Sequence, residues 1–408
     1  MSVGDSIILS FEDARHLVEE HAAKLAPAKR EPLELLESHG RVLAESIAAD
    51  RNFPPFPRAA RDGYAVIASD VSQVPVTLKL VGEIRAGAPL ESIPAITSGQ
   101  TAAIMTGAPA PSGADAVVMV EHTSLDGERV NIRQAISAGS NIVPIGSEAK
   151  RGEHLLNAGR RLDHAAIAVT ASVGRSRLLV YEKPKVAVLA TGDEIVDIDT
   201  QPGQTQIRNS NSYSLAAQIQ AACGEPMLLA IAPDEPERLR ELIQDGLEAD
   251  LLLLAGGVSM GKYDLVEQVL TELGAELFFT GAKIQPGKPI VFGCVAGKYF
   301  FGLPGNPVST MVTFELFVRP VLDALTGASP QKLVFLHARL KSEIRIKPGL
   351  KRFLPANVSG EFEQAQVELA RWQGSGDVAA TARANCYVVI PADREQIPAG
   401  EWVPILMR

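Results

Sequence analysis

The spacing of apolar positions divides the chain into a helical start, two β-rich stretches and an α/β middle. Residues 10–25 carry apolar side chains at partly helical spacing, and Ser10 can cap a helix there. A second helix is predicted over 31–36. From 49 to 144, short β-branched runs separated by Gly and Pro turns predict a compact β-rich domain. The Ala-rich segment 163–173 predicts a further helix.

From residue 185 the chain alternates strand, loop and helix, a pattern typical of a parallel, right-handed α/β sheet. Strands are predicted over 185–190, 227–231, 250–255, 289–292 and 298–302, and helices over 210–223, 235–248, 265–273 and 308–325. The four leucines at 251–254 form a fully apolar run, which predicts a strand that is buried on both faces. After Pro330, short strands with Pro and Gly breaks predict a small β-barrel-like domain.

A chain of 408 residues is too long for one core, and these changes in pattern predict four domains. The predicted domains are an N-terminal helical and extended domain (1–48 with 145–180), a β-rich domain (49–144), an α/β domain (181–327) and a C-terminal β-barrel-like domain (328–408). The predicted fold class is therefore α/β and β, in several domains.

The composition and net charge of the chain exclude several classes of function. A formal net charge of −9 argues against a nucleic-acid-binding surface, so an anionic substrate would need local dipoles and a few cations. The sequence shows neither a signal-peptide pattern nor an apolar run near membrane-spanning length, and a cytoplasmic location is expected. Cys223, Cys294 and Cys386 are widely separated, which predicts buried thiols and no disulfide or zinc framework.

Three loops of the α/β segment follow predicted strands and are rich in glycine or proline. They are Thr191-Gly192-Asp193-Glu194, Gly256-Gly257-Val258-Ser259-Met260-Gly261 and Leu303-Pro304-Gly305-Asn306-Pro307. In parallel sheets, ligands bind at the carboxyl ends of strands, where backbone N–H groups and helix N-termini hold anions. Asn306 can cap the following helix, and Pro307 suits its first position. The loops predict one anion-binding crevice; plain connecting turns are the alternative.

The second of these loops nearly matches a nucleotide-binding phosphate loop. Residues 256–262 fit GxxxxGK, but position 263 is Tyr, so the small hydroxyl that would bind magnesium is missing. An ATPase or GTPase function is therefore not predicted.

Acidic residues gather around the same loops. Carboxylates follow a strand or the glycine loop at Asp193, Glu194, Asp234 and Asp264. Oxygen ligands of this kind suit Mg²⁺ bridging substrate phosphates; helix caps or solvated side chains are the alternative for each. Lys288, between Gly287 and Pro289, would be a rigidly presented cation beside the crevice, with a solvated lysine as the alternative.

Six segments, in a fixed order along nearly the whole chain, point to one family. They are RDGYAV at 61–66, IMTGAPAPSGADAVVMVE at 104–121, LATGDEIV at 189–196, AGGVSMGKYD at 255–264, QPGKPIVFG at 285–293 and FGLPGNPVS at 301–309. Together they resemble the molybdopterin molybdenumtransferase (MoeA) family, which includes the E domain of gephyrin.

The resemblance implies a homodimer of elongated four-domain subunits. The α/β domain would bind molybdopterin, and the β-rich domain of the partner would complete the cleft. The implied reaction takes adenylylated molybdopterin and molybdate, cleaves the pyrophosphate bond with Mg²⁺, and yields molybdenum cofactor and AMP. Molybdopterin adenylyltransferase and molybdoenzyme-maturation proteins are the implied partners, with no nucleic acid and no membrane.

The resemblance also implies roles for individual residues. Those implied to be catalytic are Asp62, Glu194 and Asp264, and those implied to bind magnesium are Asp193, Glu194, Asp234 and Asp264. Those implied to bind substrate are Thr106, Gly192, Gly256, Gly257, Ser259, Lys288, Pro304, Gly305, Asn306 and Pro307. We expect Glu194 and Asp264 to be essential, because two fixed anions on neighbouring loops can hold a metal at the leaving pyrophosphate.

The sequence departs from the family pattern at charged positions. Lys262 and Asn209 stand where relatives usually carry an acid, and Gln285 stands where many carry Lys. Fewer acids would weaken a second metal position and strengthen anion binding. Two alternatives therefore stay open: a catalytically weakened paralogue that binds molybdopterin or a partner protein, and an enzyme that inserts tungstate.

Overall fold

The computed structural model describes residues 7–257 and 265–408, which form two compact units. The first unit holds the described residues up to Ala44 together with Gly159–Leu162 and Arg177–Arg408, and the second holds Glu45–Ala158 and Asp163–Ser176. The chain crosses between the units four times, so neither is one continuous segment. The division into four domains remains a prediction.

The described residues contain eight α-helices, numbered in chain order. Helices α1 to α8 are Phe11–Ala22, His164–Ser172, Ser210–Ala221, Pro236–Gly246, Leu265–Glu272, Pro307–Thr313, Arg319–Leu325 and Val378–Arg383. A π-helical turn, Phe314–Val318, joins α6 to α7 and confirms the long helix predicted over 308–325. None of the described helices is long and apolar enough to cross a membrane.

Thirty short strands make up the described β-structure. Strands β1 to β15 are Ile8–Leu9, Arg30–Glu34, Ile47–Ala48, Arg58–Ala59, Gly63–Val66, Val76–Ile84, Gln100–Ile104, Ala116–Met119, Thr123–Asp126, Arg129–Ile132, Ile142–Val143, His154–Leu156, Arg177–Tyr181, Lys185–Ala190 and Ile195–Val196. Strands β16 to β30 are Ile207–Arg208, Glu225–Leu228, Leu251–Ala255, Glu276–Phe279, Gly281–Ala282, Ile284–Gln285, Val291–Val295, Lys298–Leu303, Phe335–Leu340, Ile344–Arg345, Lys351–Ser359, Gln366–Leu369, Cys386–Ile390, Gln396–Ile397 and Trp402–Met407.

The α/β sheet of the first unit has six strands in the order β17-β14-β18-β23-β22-β19. The first four strands are parallel, as the alternating pattern predicts, whereas β22 runs antiparallel to both of its neighbours, β23 and β19. The predicted parallel α/β sheet is therefore confirmed, and an antiparallel strand adds to it near one edge. A two-residue turn explains the reversal, because Ala296 and Gly297 both have positive φ, as a tight hairpin between β22 and β23 requires.

The leucine strand β18 lies at the centre of this sheet and is buried on both faces. Leu251 and Leu253 belong to the core cluster packed with α1, α3, α6 and α7, whereas Leu252 and Leu254 belong to the cluster packed with α4 and α5. Alternate side chains of a strand point to opposite faces, so one apolar run supplies both cores.

The C-terminal strands close into a barrel, which confirms the predicted β-barrel-like domain. Strands β26, β27, β24, β30 and β28 pair in turn, and β28 pairs back with β26. The inward side chains of this ring form a separate apolar cluster that includes Leu340, Ala356 and Ile405. Closure leaves no free edge within the ring.

The second unit is built around another six-stranded sheet, in the order β8-β5-β7-β6-β10-β9. Its strands lie between Gly63 and Ile132, which confirms the β-rich stretch predicted from 49 to 144. Helix α2 confirms the predicted helix over 163–173, and the Asp163 side chain accepts a hydrogen bond from the Ala166 N–H at its start.

The helix predicted over 31–36 is wrong, because Arg30–Glu34 forms strand β2. This strand pairs antiparallel with β13 along its whole length, and its residues alternate between exposed and half-buried. Pro32 inside the segment removes a donor that a helix interior would use. By contrast, Ser10 caps α1 as predicted, accepting a hydrogen bond from the Asp13 N–H.

His21 packs α1 against the antiparallel edge of the α/β sheet. Its ring centroid lies 4.0 Å from that of Phe278, and its Nδ1 lies 3.0 Å from Tyr299 Oη. Burial lowers the pKa of His21 and the charge of Lys24 lowers it further, while the carboxylates of Glu276 and Glu20 oppose the shift. The neutral ring is therefore the form that fits this packing.

We predict that this contact makes stability depend on pH. Because the folded-state pKa of His21 lies below its ordinary value of 6.5, the unfolded chain takes up a proton first, and stability falls as the pH decreases below about 6.5. His21→Phe should show a flatter dependence of the thermal midpoint between pH 7.5 and 5.5. The control is His16→Phe, at an exposed position of the same helix. Parallel curves for wild type and His21→Phe would contradict this account.

Candidate active site

The carboxyl ends of the four parallel strands bring the three predicted loops to one edge of the sheet. The Thr191 N–H donates to the Ala255 carbonyl at 3.2 Å, which joins the ends of β14 and β18. The Gly256 N–H donates to the Leu303 carbonyl at 3.1 Å, which joins the ends of β18 and β23. The three loops therefore start side by side, as the sequence predicts.

Glycine is required where these loops approach one another. Gly256 and Gly257 have φ of 102° and 66°, which ordinary side chains rarely adopt. A Cβ at Gly256 would lie 2.8 Å from the Thr191 carbonyl oxygen, and one at Gly257 would lie 2.6 Å from Val266 Cγ2. A Cβ at Gly305 would lie 3.7 Å from Gly256 Cα, so the last loop runs directly beside the glycine loop.

The predicted site residues Ser259 and Asp264, and Lys262, lie outside the described residues.

Three of the predicted carboxylates share this edge. Asp193 Oδ1 accepts a hydrogen bond from the Asp234 N–H at 3.0 Å, and the Glu194 carboxylate lies against Gly192. Partial burial raises the pKa of Asp234, and the negative charges of Asp193 and Glu194 raise it further. Within residues 7–257 and 265–408, no three His, Cys, Asp or Glu side chains are arranged to hold a metal ion.

The Pro304–Pro307 loop is fixed from two sides. Asn211 Nδ2 donates to the Gly305 carbonyl at 2.8 Å, and Thr310 Oγ1 donates to the Asn306 carbonyl at 3.1 Å. Pro307 opens α6 as predicted. Asn306 occupies the N-cap position, but its side chain makes no cap hydrogen bond, so the predicted capping role is wrong. The exposed Asn306 side chain is left available to a ligand.

The segment that carries Lys288 packs against the same helix. A Cβ at Gly287 would lie 2.4 Å from Thr313 Cγ2 of α6, so only glycine fits this contact. Lys288 follows it and is exposed, as expected for a cation presented to a ligand or to solvent. Gln285 Oε1 accepts a hydrogen bond from Arg352 Nε at 2.8 Å, which ties this segment to β26.

Asp62 and Thr106 are brought together in the second unit. The Thr106 N–H and Oγ1 donate to the same oxygen, Asp62 Oδ1, at 2.6 and 2.7 Å. These two bonds lower the pKa of Asp62 and hold its exposed carboxylate in one orientation. Gly63 is needed beside it, because a Cβ there would lie 1.9 Å from the Val118 carbonyl oxygen.

Two polar residues that the sequence did not single out as site residues also lie at this edge of the α/β sheet. Thr191 and Asn211 each bury a side-chain oxygen that has no hydrogen-bond partner in the described structure. A third, Asn209, has a structural role, since its side chain accepts from the Ser212 N–H and caps α3. Burial without a partner is a property of the folded chain, and the only hint in the sequence is that Thr191 is the first residue of a predicted loop.

A glycine-lined crevice at the carboxyl edge of an α/β sheet, bordered by carboxylates, defines a small-molecule-binding α/β protein. Comparison with known families identifies which one. Three family models match in chain order: the MoeA N-terminal region (domain I and II) at 9–174, the probable molybdopterin binding domain at 187–324, and the MoeA C-terminal region (domain IV) at 337–407.

Individual relatives agree over the full length. The chain is 35% identical to a molybdopterin molybdenumtransferase of Nostoc sp., over 92% of this chain and 88% of the relative. It is 34% identical to that of Haemophilus influenzae, over 93% and 94%. A crystal structure of the molybdopterin biosynthesis moeA protein from Pyrococcus horikoshii OT3 matches with a TM-score of 0.77 and 29% identity, over 98% of this chain and 100% of that one. The chain belongs to the MoeA family of molybdopterin molybdenumtransferases, which confirms the resemblance.

We predict that Gly257→Ala destabilises the first unit more than Gly274→Ala. Both glycines have positive φ, which costs alanine about 1–2 kcal/mol. Only Gly257 is crowded, whereas a Cβ at Gly274 would have no atom within 4 Å. The free energy of unfolding in urea should fall by about 1 kcal/mol more for Gly257→Ala. Equal losses of unfolding free energy in the two variants would show that the glycine loop accommodates the added methyl group at no cost.

We predict that Thr106→Val raises the pKa of Asp62, because it removes the Oγ1 hydrogen bond and keeps the backbone one. Carbon-13 NMR titration of the Asp62 carboxyl group measures the change directly. Thr106→Ser keeps the hydroxyl and should leave the pKa of Asp62 near that of the wild type. An unchanged pKa in Thr106→Val would mean that the backbone N–H alone sets it.

Proposed function

We propose that the chain is a transferase of molybdenum cofactor biosynthesis that inserts molybdate into adenylylated molybdopterin and releases AMP. The observation that carries the proposal is the group of Asp193, Glu194 and Asp234 beside the glycine loops, in a chain that its family matches from end to end. Backbone N–H groups on glycine loops suit the phosphates of such a substrate, and carboxylates suit its metal.

Magnesium suits the carboxylate and phosphate oxygens of this proposal, although the described carboxylates are not arranged to hold the ion by themselves. Asp193, Glu194 and Asp234 would each offer carboxylate oxygens, and substrate phosphates would complete the ligand set. Partial burial raises the pKa of Asp234, and the charges of Asp193 and Glu194, which a divalent cation would offset, raise it further. When bound, the ion would neutralise charge on the pyrophosphate. The role of Asp264 stays a prediction, because this residue lies outside the described part of the chain.

The chain's own residues would divide the remaining work. Gly256, Gly257 and Gly305 let backbone come close to phosphates without side-chain obstruction. Lys288 offers a positive charge to phosphate or molybdate, which an acidic protein needs locally. Glu194, placed beside Gly192, would orient water or metal at the bond that breaks.

The setting of the reaction is also part of the proposal. The protein would act in the cytoplasm as a homodimer, in which Asp62 and Thr106 of the β-rich domain contribute to the cleft of the partner. A molybdopterin adenylyltransferase would supply the substrate, and proteins that mature molybdoenzymes would receive the product. Sedimentation at micromolar concentration tests the dimer.

One observation favours a second function, binding of molybdopterin without turnover. Asn209 makes the cap hydrogen bond that an aspartate would make, so its presence keeps α3 intact and removes a negative charge from the crevice. A weakened metal position would follow, with binding retained. Tungstate in place of molybdate is compatible with either function, since the two oxyanions share shape and charge.

The proposal predicts that purified protein releases AMP from adenylylated molybdopterin when molybdate and Mg²⁺ are present. Glu194→Gln removes one fixed negative charge and should therefore reduce the rate of AMP release by a factor on the order of 100. The fold should stay intact. Glu248→Gln, an exposed carboxylate just before the amino end of β18, is the matched control and should retain the wild-type rate. Binding of molybdopterin without AMP release by the wild type would refute the enzyme and support the binding protein.

A further inference from the structure

Only one of the two polar atoms of the Asn211 side-chain amide forms a hydrogen bond with the described residues. Asn211 lies in the first turn of α3, where Nδ2 donates to the Gly305 carbonyl at 2.8 Å. Because a carbonyl oxygen can only accept, this bond fixes which end of the amide is the NH₂ group. Oδ1 is therefore the remaining atom; it is buried and accepts no hydrogen bond from the described residues. An acceptor in that position is suited to a donor that a ligand brings.

Thr191 presents a second such atom. The residue directly follows β14 and is only 5% exposed, yet its Oγ1 has no partner anywhere in the described structure. A Cβ at Gly257 would lie 2.7 Å from this hydroxyl oxygen, and one at Gly256 would lie 3.3 Å from it. The hydroxyl thus faces the two positions of the glycine loop that lack side chains.

The side chains that carry Asn211 Oδ1 and Thr191 Oγ1 both lie beside the glycines of these loops. Asn211 holds Gly305, a Cβ at Gly305 would lie 3.7 Å from Gly256 Cα, and Gly256 lies against Thr191. This chain of contacts connects α3 to the end of β14 by way of the backbone at Gly305 and Gly256. Neither side chain is used in the proposed metal or phosphate chemistry, so both are available for the rest of the substrate.

Gln218 also has a buried amide oxygen, Oε1, without a hydrogen-bond partner among the described residues, but it lies away from the loop edge of the α/β sheet. Its Nε2, however, donates to the Met311 carbonyl and to Glu315, so the side chain lies in the packing between α3 and the helical run after the loop. Gln218 lies seven residues further along α3 than Asn211 and serves as a matched control.

We propose that Asn211 and Thr191 form a subsite that recognises the pyrimidine edge of the pterin. Asn211 Oδ1, which only accepts, would bind an N–H of the 2-amino or N3 position. Thr191 Oγ1, which also donates, would bind the 4-oxo group. This inference rests on the proposed function, because it takes a pterin as substrate. It assigns both residues to binding and specificity and gives neither a part in bond cleavage.

The test compares binding with stability in the same variants. Calorimetric titration with molybdopterin should show about tenfold weaker binding for Asn211→Leu and Thr191→Val, the effect of one lost hydrogen bond. Thr191→Val should leave the thermal midpoint of the free protein unchanged or raise it, because it replaces an unpaired buried hydroxyl with a methyl group. Thr191→Ser should restore binding, and Gln218→Leu should bind as the wild type does.

A second measurement tests which edge is recognised. Wild type should prefer pterin-6-carboxylate to lumazine-6-carboxylate, in which an oxo group replaces the 2-amino donor, and Asn211→Leu should lose that preference. Wild-type affinity in both Asn211→Leu and Thr191→Val would overturn the subsite, as would equal losses in Gln218→Leu. Variant-sensitive binding without AMP release by the wild type would refute turnover alone and leave the subsite standing.

Discussion

The candidate site depends on the parallel pairing of β18 with β14 on one side and β23 on the other. Leu251–Leu254 supply both apolar cores at once, and this burial fixes the register of all three strands. Because the strands are parallel, their following loops begin at one edge, within backbone hydrogen-bond distance of one another. Loss of that register would separate the glycine loop from both of its neighbours.

Under the proposed function, electrostatics favours a cation at this edge of the sheet. Partial burial raises the pKa of Asp234, the charges of Asp193 and Glu194 raise it further, and the proposed substrate would bring more negative charge. In that proposal, N–H groups of the glycine loops and the ammonium group of Lys288 would offset part of that charge. The carboxylates, the glycine loops and Lys288 are therefore compatible with the metal-assisted reaction proposed above.

The sequence predicted the parts of the fold that depend on strong local patterns. The leucine run, the cap at Ser10, and the loops after parallel strands all follow from residue type and spacing. The helix over 31–36 failed because a partner strand distant in the sequence overrode its weak local preference. The unpaired oxygens of Thr191 and Asn211 could not be predicted, since burial without a partner arises only when separate segments pack.

Hydrogen exchange, followed by mass spectrometry, tests the central claim that these loops bind the substrate. Protein would be compared with and without adenylylated molybdopterin, in the absence of Mg²⁺ so that turnover does not complicate the result. The account predicts slower exchange in the peptides that contain Gly192, Gly256 with Gly257, and Gly305. Protection confined to the C-terminal barrel, with these three loops unchanged, would contradict it.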